Sequence, residues 1–293
     1  RIRSVPGTFG RTLPNENYAE VKSQGLELML SYQDRIQGLG YNFRLIGSYA
    51  QNKVTKIDDP GNALDFQKQV GRPIGFRSGY EALGLFRSQE EADSWAGGYQ
   101  FGQKSVAGDI KDADLDGDGS ISIPDQKILS KYGNTPRIMY GFTAGFNWNN
   151  FDLNFLFQGA AQRNLILSGS GRVMYRNGGS NNNFEYLKDS WSPENPDGKY
   201  PIAWVDARGV NERNSDFWLR DAGYVRLKSA DIGYNFQSDW LKSKNIQRLR
   251  LYVSGLNLFT ISSIKEFDPE AETGSGSYYP QQRNINVGLN LSF

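Results

Sequence analysis

The 293-residue sequence contains no cysteine and no histidine. Without cysteine the chain can form no disulfide and offers no thiol nucleophile, and without histidine it lacks the commonest acid–base catalyst and zinc ligand. The sequence also has no G-x-S-x-G or comparable nucleophile motif, and no carboxylate spacing that points to a glycosidase pair. Because the residue types that most enzyme sites need are missing, we expect no enzymatic activity.

The sequence also lacks an excess of positive or negative charge, and it lacks long apolar runs. Lys and Arg number 33 against 32 Asp and Glu, so a net charge of +1 gives no reason to expect nucleic acid as a partner. The sequence contains no run of about 18 apolar residues, so it predicts no membrane-spanning helix. A membrane barrel stays compatible with the mean hydropathy of −0.60, because every second strand residue can be polar. The start, RIRSVPGTFG, has no apolar signal, so we expect either a removed signal or a longer chain.

The sequence is instead rich in aromatic residues (13%) and in glycine (33 residues), a composition that favours β-structure with many turns. The last stretch, RNINVGLNLSF, alternates strictly between apolar and polar residues. Such a strand would promote aggregation at the exposed edge of a soluble sheet, but it suits the lipid-facing wall of a closed barrel. One set of side chains is apolar: Ile285, Val287, Leu289, Leu291 and Phe293.

The same alternation predicts seven spanning strands, and the joins between them are alternately short and long. Outer-membrane barrels show this arrangement, with short periplasmic turns and long extracellular loops. Single-chain bacterial barrels normally have an even number of strands, so seven indicate the end of a larger barrel. A change of apolar phase near Ser229 predicts a β-bulge, and GFRSGYEALGLF is expected to add β-structure within the first long loop. The predicted strands are 22–33, 40–52, 137–149, 150–161, 223–236, 247–260 and 283–293, and the long loops are 53–135, 162–215 and 261–281.

The segment DLDGDGSISIPD, residues 114–125, matches the spacing of an EF-hand calcium loop. Gly119 allows the sharp turn, Ser122 could act through a water, and the following PDQKILSK is predicted to start a single helix. The alternative is a solvated Asp/Gly turn. The sequence predicts a structural calcium site that orders the first long loop. Its ligands would be the carboxylates of Asp114, Asp116 and Asp118, the carbonyl of Ser120 and the closing carboxylate of Asp125.

Several longer motifs occur in a family-typical order along nearly the whole chain. They are ENYAEVKSQGLEL, YAQNKVTKIDD, GDIKDADLDGDGSISIPDQKIL, PRIMYGFTAGFNWNNFDLNFLFQGA, DSWSPENPDGKYP, WLRDAGYVRLKSADIGYNF, LRLYVSGLNLFT, FDPE and RNINVGLNLSF. With these motifs the sequence resembles the carboxy-terminal part of the SusC/RagA-type TonB-dependent outer-membrane transporters of Bacteroidetes.

This resemblance implies an all-β fold: a transmembrane antiparallel β-barrel of about 22 strands, of which residues 1–293 would be the carboxy-terminal portion. It implies a location in the bacterial outer membrane, surrounded by lipid, and import of oligosaccharides or oligopeptides. It also implies a SusD-like surface lipoprotein as a lid and TonB as the energy source. The plug domain and TonB box of the family have no counterpart in this sequence, so we expect the rest of the barrel in the same chain or another one.

Two alternatives stay open from the residues alone. One is a non-transporting outer-membrane barrel, such as an adhesin or an assembly component. The other is a soluble, calcium-stabilised β-protein that binds carbohydrate through Trp191, Trp204 and Trp218. For these tryptophans we favour loop packing. For the polar strand residues we favour solvated positions in the lumen: Glu27, Arg44, Asp152, Asn154, Arg226 and Arg250.

Overall fold

The computed structural model of the chain describes residue 10 and residues 17–172, 174–175, 179, 183–205 and 208–293. The start without an apolar signal (residues 1–9) and Glu16, which opens the ENYAEVKSQGLEL motif, lie outside the described residues. Within the described ranges, no helix is long and apolar enough to cross a membrane.

The described residues form fifteen strands and two short α-helices. The strands are β1 (Glu20–Ile36), β2 (Leu39–Lys56), β3 (Arg77–Gly79), β4 (Ala82–Leu85), β5 (Tyr99–Gln100), β6 (Gln103–Lys104), β7 (Ile110–Asp112), β8 (Lys127–Ser130), β9 (Ile138–Trp148), β10 (Phe151–Ala161), β11 (Asn164–Ile166), β12 (Leu219–Asp221), β13 (Tyr224–Phe236), β14 (Arg248–Ser262) and β15 (Asn284–Ser292). The helices are α1 (Gln89–Ser94) and α2 (Asp239–Ser243), and 3₁₀ turns occupy Asp65–Gln67, Trp95–Gly98, Ile123–Asp125, Gly169–Gly171, Glu185–Asp189 and Asp216–Trp218.

The seven long strands form one antiparallel sheet in the order β1-β2-β9-β10-β13-β14-β15. The seven predicted strands are therefore confirmed, with ends that differ by a few residues. At one end of the sheet the connections between consecutive strands are short. The β1–β2 turn is only Gln37-Gly38, and both residues have positive φ (48° and 88°), which matches the right-handed twist of the strands that it connects.

Each long strand alternates its side chains between an apolar face and a polar face of the sheet. Register carries this alternation from strand to strand. One cross-strand row of the apolar face consists of Leu30, Leu45, Phe142, Phe157, Leu227 and Phe259. The predicted bulge is confirmed, because the β10–β13 and β13–β14 pairings both shift register beside Ser229.

In the part of the chain that the structure describes, nothing covers the apolar face. Within the described residues no second sheet packs on it, and its side chains stay open to the surroundings, as at Leu26 (72% exposed) and Val287 (80% exposed). In the same part of the chain, β1 pairs only with β2, and β15 pairs only with β14. The sheet therefore has two unpaired outer edges and one bare apolar face, which is not the two-layered sandwich of a soluble β-protein.

The three long joins pack together at the opposite end of the sheet into one unit, which we call the loop body: the described residues of 57–137, 162–223 and 263–283. Its apolar centre takes residues from all three joins, including Ile110, Trp218 and Phe267. Backbone hydrogen bonds link the joins, such as Tyr80 N–H to the Asn214 carbonyl (2.8 Å). The expected β-structure in GFRSGYEALGLF is present as β3 and β4, which pair with β8 and β7 inside the loop body.

Candidate functional site

The aspartate loop at residues 114–125 brings three carboxylates together. Oxygen atoms of Asp114, Asp116 and Asp118 all lie within 4.8 Å of one another. Backbone hydrogen bonds shape the loop: the Asp114 carboxylate accepts from the N–H groups of Gly117 (2.7 Å) and Gly119 (2.9 Å). Both glycines have positive φ (76° and 80°), which permits this tight curl. Three hard oxygen donors at alternate positions fit the chemistry of a calcium ion.

The other two predicted ligands have different surroundings. Asp125 is fully buried and does not belong to the three gathered carboxylates. Its oxygens accept from the N–H groups of Leu115 and Ser122, both at 2.7 Å, so this side chain closes the loop on itself. The N–H of Ser120 donates to the Asp118 carboxylate (2.8 Å). The roles of Ser120 and Asp125 as metal ligands stay predictions.

Electrostatics in this loop favour a cation. The hydrogen bond from Asp118 N–H favours charged Asp116, but desolvation and the nearby carboxylates of Asp118, Asp125 and Asp114 outweigh it and raise the pKa of Asp116. Close by, burial raises the pKa of Asp112 to about 8, and Asp216 acts in the same direction. A positive ion at the three aspartates would relieve this repulsion between like charges.

The predicted helix after the aspartate loop is wrong. Ile123–Asp125 forms a single 3₁₀ turn, and Lys127–Ser130 continues as β8, which pairs with β3. The backbone becomes extended at Gln126 (ψ 144°), because strand β3 supplies hydrogen bonds that make the extended form more stable than a short isolated helix. The second half of the aspartate loop also contacts residue Phe101. Ile121 is buried, and its carbonyl accepts a hydrogen bond from Phe101 N–H (2.9 Å).

The loop body contains buried charged groups that the sequence did not reveal. Asp109 is fully buried and pairs with the Arg208 guanidinium, while the Asn211 side-chain amide donates to it at 2.9 Å. Burial raises the pKa of Asp109, and the Arg208 charge opposes that shift. Its partners lie 99 and 102 residues further along the chain, so no local pattern could have identified them.

The polar face of the main sheet carries two ion networks. Arg226 is 1% exposed; it contacts both Asp268 oxygens (2.6 and 2.7 Å), Glu270 (2.6 Å) and the Thr260 hydroxyl (2.9 Å). This network ties the FDPE segment of the third long join to the sheet.

The second network lies nearer the short turns. Arg250 donates through Nε to the Asp152 carboxylate (3.0 and 3.1 Å) and also pairs with Asp231. The expectation of ordinary solvated side chains is therefore wrong for Arg226 and Arg250, which are buried, while Asp152 is half-buried and paired with Arg250. The remaining three of the set, Glu27, Arg44 and Asn154, are exposed.

The three candidate tryptophans do not form a sugar-binding platform. Trp218 (0% exposed) and Trp191 (8% exposed) belong to the apolar centre of the loop body, as loop packing predicts. Trp204 is partly exposed, with the Arg208 guanidinium over its ring at 5.2 Å.

A cavity of about 950 Å³ opens between the polar face and the loop body. Its wall comes from β1, β2, β9, β10 and the loop-body end of β13, and all three long joins contribute, the third through Glu270 and Glu272. The cavity lies on the loop-body half of the sheet, since Met139 and Ala160 are near the loop-body ends of their strands.

No protein-family profile matches the chain. The sequence is 29% identical to TonB-dependent receptor P3 and 28% identical to TonB-dependent receptor P26, both of Formosa agariphila, and each alignment covers 99% of the chain. It is 24% identical to TonB-dependent receptor SusC of Bacteroides thetaiotaomicron over 100% of the chain. The chain spans 30%, 31% and 28% of the length of these curated relatives.

Solved structures match the fold. A structure of the RagAB peptide transporter superposes with a TM-score of 0.71 at 20% identity, over 99% of this chain and 31% of that one. The "open-open" state of the RagAB peptide importer gives the same TM-score over 99% of this chain and 30% of that one. At this identity the match establishes the fold. The all-β architecture, an antiparallel sheet that corresponds to part of a transporter barrel, is thereby confirmed.

Proposed function

We propose that this chain, a segment of a SusC/RagA-type TonB-dependent receptor, forms the carboxy-terminal wall of an outer-membrane barrel that imports nutrient oligomers. The observation that carries the proposal is the main sheet, with its bare apolar face, polar opposite face and two unpaired edges. In water these features would cost stability and invite aggregation. In a closed barrel, lipid covers the apolar face and further strands satisfy both edges.

The remaining strands come from polypeptide outside this sequence. The chain spans about 30% of its relative P3, and the match to the RagAB structure covers 31% of that chain, which leaves ample length for the rest of a barrel. In this arrangement the short turns face the periplasm and the loop body faces the outside. TonB would act through an amino-terminal part of the receptor, since the sequence itself carries no TonB box.

The loop body suits contact with a second protein at the outer mouth. It is a packed unit with its own apolar centre, so it presents a defined surface instead of separate flexible loops. We propose that a SusD-like surface lipoprotein covers this surface and that the cargo is an oligosaccharide or an oligopeptide. A solved structure of the same fold is named the RagAB peptide transporter, which supports an oligopeptide as one of the two candidate cargoes.

We further propose that a calcium ion occupies the aspartate loop in a structural role. Asp114, Asp116 and Asp118 would hold it, while Asp125 keeps the loop curled from within. An ion there would stabilise the curl and, through buried Ile121, whose carbonyl accepts from Phe101 N–H, the folding of the first long join on itself. The ion supplies charge neutralisation and no reaction chemistry.

Limited proteolysis of the full-length receptor tests the calcium proposal. Calcium should slow cleavage within the first long join, and a chelator should restore it. Asp116→Asn removes one donor charge and should abolish this protection, whereas Asp197→Asn, an exposed aspartate elsewhere in the loop body, should leave it unchanged. Equal cleavage of the parent receptor with and without calcium would refute a structural calcium site.

The importer proposal is tested in cells that carry the full-length receptor with or without a functional TonB. Labelled oligopeptide and oligosaccharide mixtures should accumulate inside cells only when both the receptor and TonB are present, and a surface lipoprotein should co-purify with the receptor. A receptor that reaches the outer membrane but supports no TonB-dependent uptake would favour the non-transporting alternative, an adhesin or an assembly component.

A further inference from the structure

The cavity between the polar face and the loop body has an aliphatic floor. Met29 and Ile46 are direct cross-strand neighbours, and Ile46 Cγ1 would lie 3.1 Å from a Cβ added to Gly141, its neighbour on β9. Met139 and Leu156 extend the same patch on β9 and β10. Three of these side chains are well exposed, at 66% for Met29, 54% for Met139 and 42% for Ile46.

An apolar patch is unusual on this face, which is otherwise polar. Most apolar side chains of the main sheet belong to the opposite face, where the register places them. The cavity that holds the patch is lined by residues 134–136, Arg163, Glu270 and Glu272 of the three joins, and by no residue of the apolar centre of the loop body. Exposed aliphatic groups of this kind gain free energy when an apolar partner covers them, by about 25 cal/mol per Å² of area removed from water.

The charged groups that border the cavity are mostly carboxylates, and two of them are free. Within the described residues, no cation lies within ion-pair distance of Glu27 or Glu272. By contrast, the one cation among the described lining residues is already engaged: Arg163 donates to the carbonyls of Asn134 and Ala271. The exposed Arg44 does not line the cavity. Among the described residues that line the cavity, a cationic ligand therefore finds two unpaired carboxylates, while an anionic ligand finds no free cation.

The cavity offers no aromatic platform for sugar rings among the described residues that line it. Tyr224 is buried, and its hydroxyl donates to Glu270 at 2.6 Å. Tyr140 has the strand phase of the apolar face, two residues along β9 from Phe142, and its hydroxyl donates to the Tyr224 carbonyl at 3.0 Å. Carbohydrate sites commonly rely on exposed aromatic faces, so this wall fits aliphatic chains better than pyranose rings.

From these three properties we infer that the cavity is a cargo subsite for an oligopeptide segment with aliphatic and cationic side chains. The aliphatic groups lie against Met29, Ile46 and Met139, and lysine or arginine groups meet Glu27 and Glu272. The inference rests on the proposed import function, because it treats the polar face as the lumen wall. It adds the cargo class and the residues of this chain that select it.

Binding to the purified full-length receptor in detergent tests the subsite, and calorimetry supplies the dissociation constant. The probes are a lysine–leucine tetrapeptide, its glutamate–leucine counterpart and maltotetraose. We expect the cationic peptide to bind more tightly than the other two, and more weakly in high salt. Glu27→Gln and Glu272→Gln should each weaken its binding about two- to fivefold, and Ile46→Asn about tenfold. Glu185→Gln, an exposed carboxylate in the loop body, is the matched control and should change nothing.

Uptake in cells separates this inference from the import function. If the receptor imports maltotetraose or the acidic peptide in a TonB-dependent way and binds them as tightly as the cationic peptide, the subsite is wrong and the importer stands. If the cationic peptide binds with the predicted sensitivity to the cavity variants but is never taken up, the subsite stands and the importer is wrong. Binding of the cationic peptide that ignores all three variants overturns the inference.

Discussion

Replacing Arg226 with methionine should weaken the attachment of the third long join to the main sheet. The change keeps a long unbranched side chain but removes the charge that faces Asp268 and Glu270 across 2.6 Å. Arg226 is almost fully buried, whereas the side chains of Asp268 and Glu270 are 19% and 22% exposed. Removal of one partner from a buried ion pair costs about 3–5 kcal/mol, and the partial exposure of both acids favours the lower end, about 3 kcal/mol.

Hydrogen exchange measured by mass spectrometry on the full-length receptor is the suitable assay, because the effect should be local. A loss of about 3 kcal/mol corresponds to roughly a hundredfold faster exchange of protected amides. The reporters are the Glu270 N–H, which donates to Asp268 Oδ1 at 2.8 Å, and the Ala271 N–H, which donates to the Asp268 carbonyl at 2.9 Å.

Two further variants make this result interpretable. Arg248→Met removes an exposed arginine of the same sheet whose side chain donates to Asn235 at 3.0 Å, and should leave exchange in residues 263–283 unchanged. Adding Asp268→Asn to Arg226→Met removes one unpaired acid and should restore part of the protection. If these amides exchange at the same rate in Arg226→Met as in the parent receptor, the ion network does not stabilise the attachment of the third long join to the sheet.

Three further outcomes follow from the packing and the charges. Trp218→Ala empties a fully buried site in the loop body and should cost about 4 kcal/mol, seen as lost near-ultraviolet dichroism and faster proteolysis. Gly159→Ala places a Cβ into the Tyr140 ring, its cross-strand neighbour, and should lower the receptor's melting temperature by an amount equivalent to about 1–3 kcal/mol. Burial opposes ionisation of Glu266, but the Arg220 guanidinium at 2.8 Å holds the pKa of Glu266 below its ordinary 4.5. Stability from this pair is therefore present above pH 4.5 and lost as the pH falls through the lower folded-state pKa, and Glu266→Gln should remove that acid-side loss in thermal melts.

The strands were predictable because their information is local. Period-two alternation identified all seven long strands, and the phase change near Ser229 located the bulge. The same reasoning failed after the aspartate loop, where a proline and a run of helix-compatible residues suggested a helix. There β3, about 50 residues earlier, pairs with β8 and overrides the local preference, as the register between Ser78 and Ile128 shows.

The interior of the loop body could not be predicted, because its contacts join residues that are far apart in the sequence. Ile110 N–H donates to the Asn211 side chain, 101 residues away, and Arg226 finds its acids 42 and 44 residues further on. An arginine in the sequence does not by itself predict whether its side chain is buried, because a buried guanidinium requires acidic or other polar partners. In the aspartate loop, spacing was enough to bring three carboxylates together, but it did not reveal that Asp125 would turn towards backbone amides.

The central claim, that the apolar face of the main sheet meets lipid and the polar face meets water, can be tested by spin labelling in the outer membrane. The chain has no cysteine, so Leu45→Cys and Arg44→Cys give adjacent labels of opposite orientation on β2, both at exposed positions. A nitroxide at 45 should collide readily with oxygen and poorly with a water-soluble nickel reagent, and a nitroxide at 44 should show the reverse. Equal access of the nickel reagent to both positions, or exclusion of both reagents from position 45, would contradict the account.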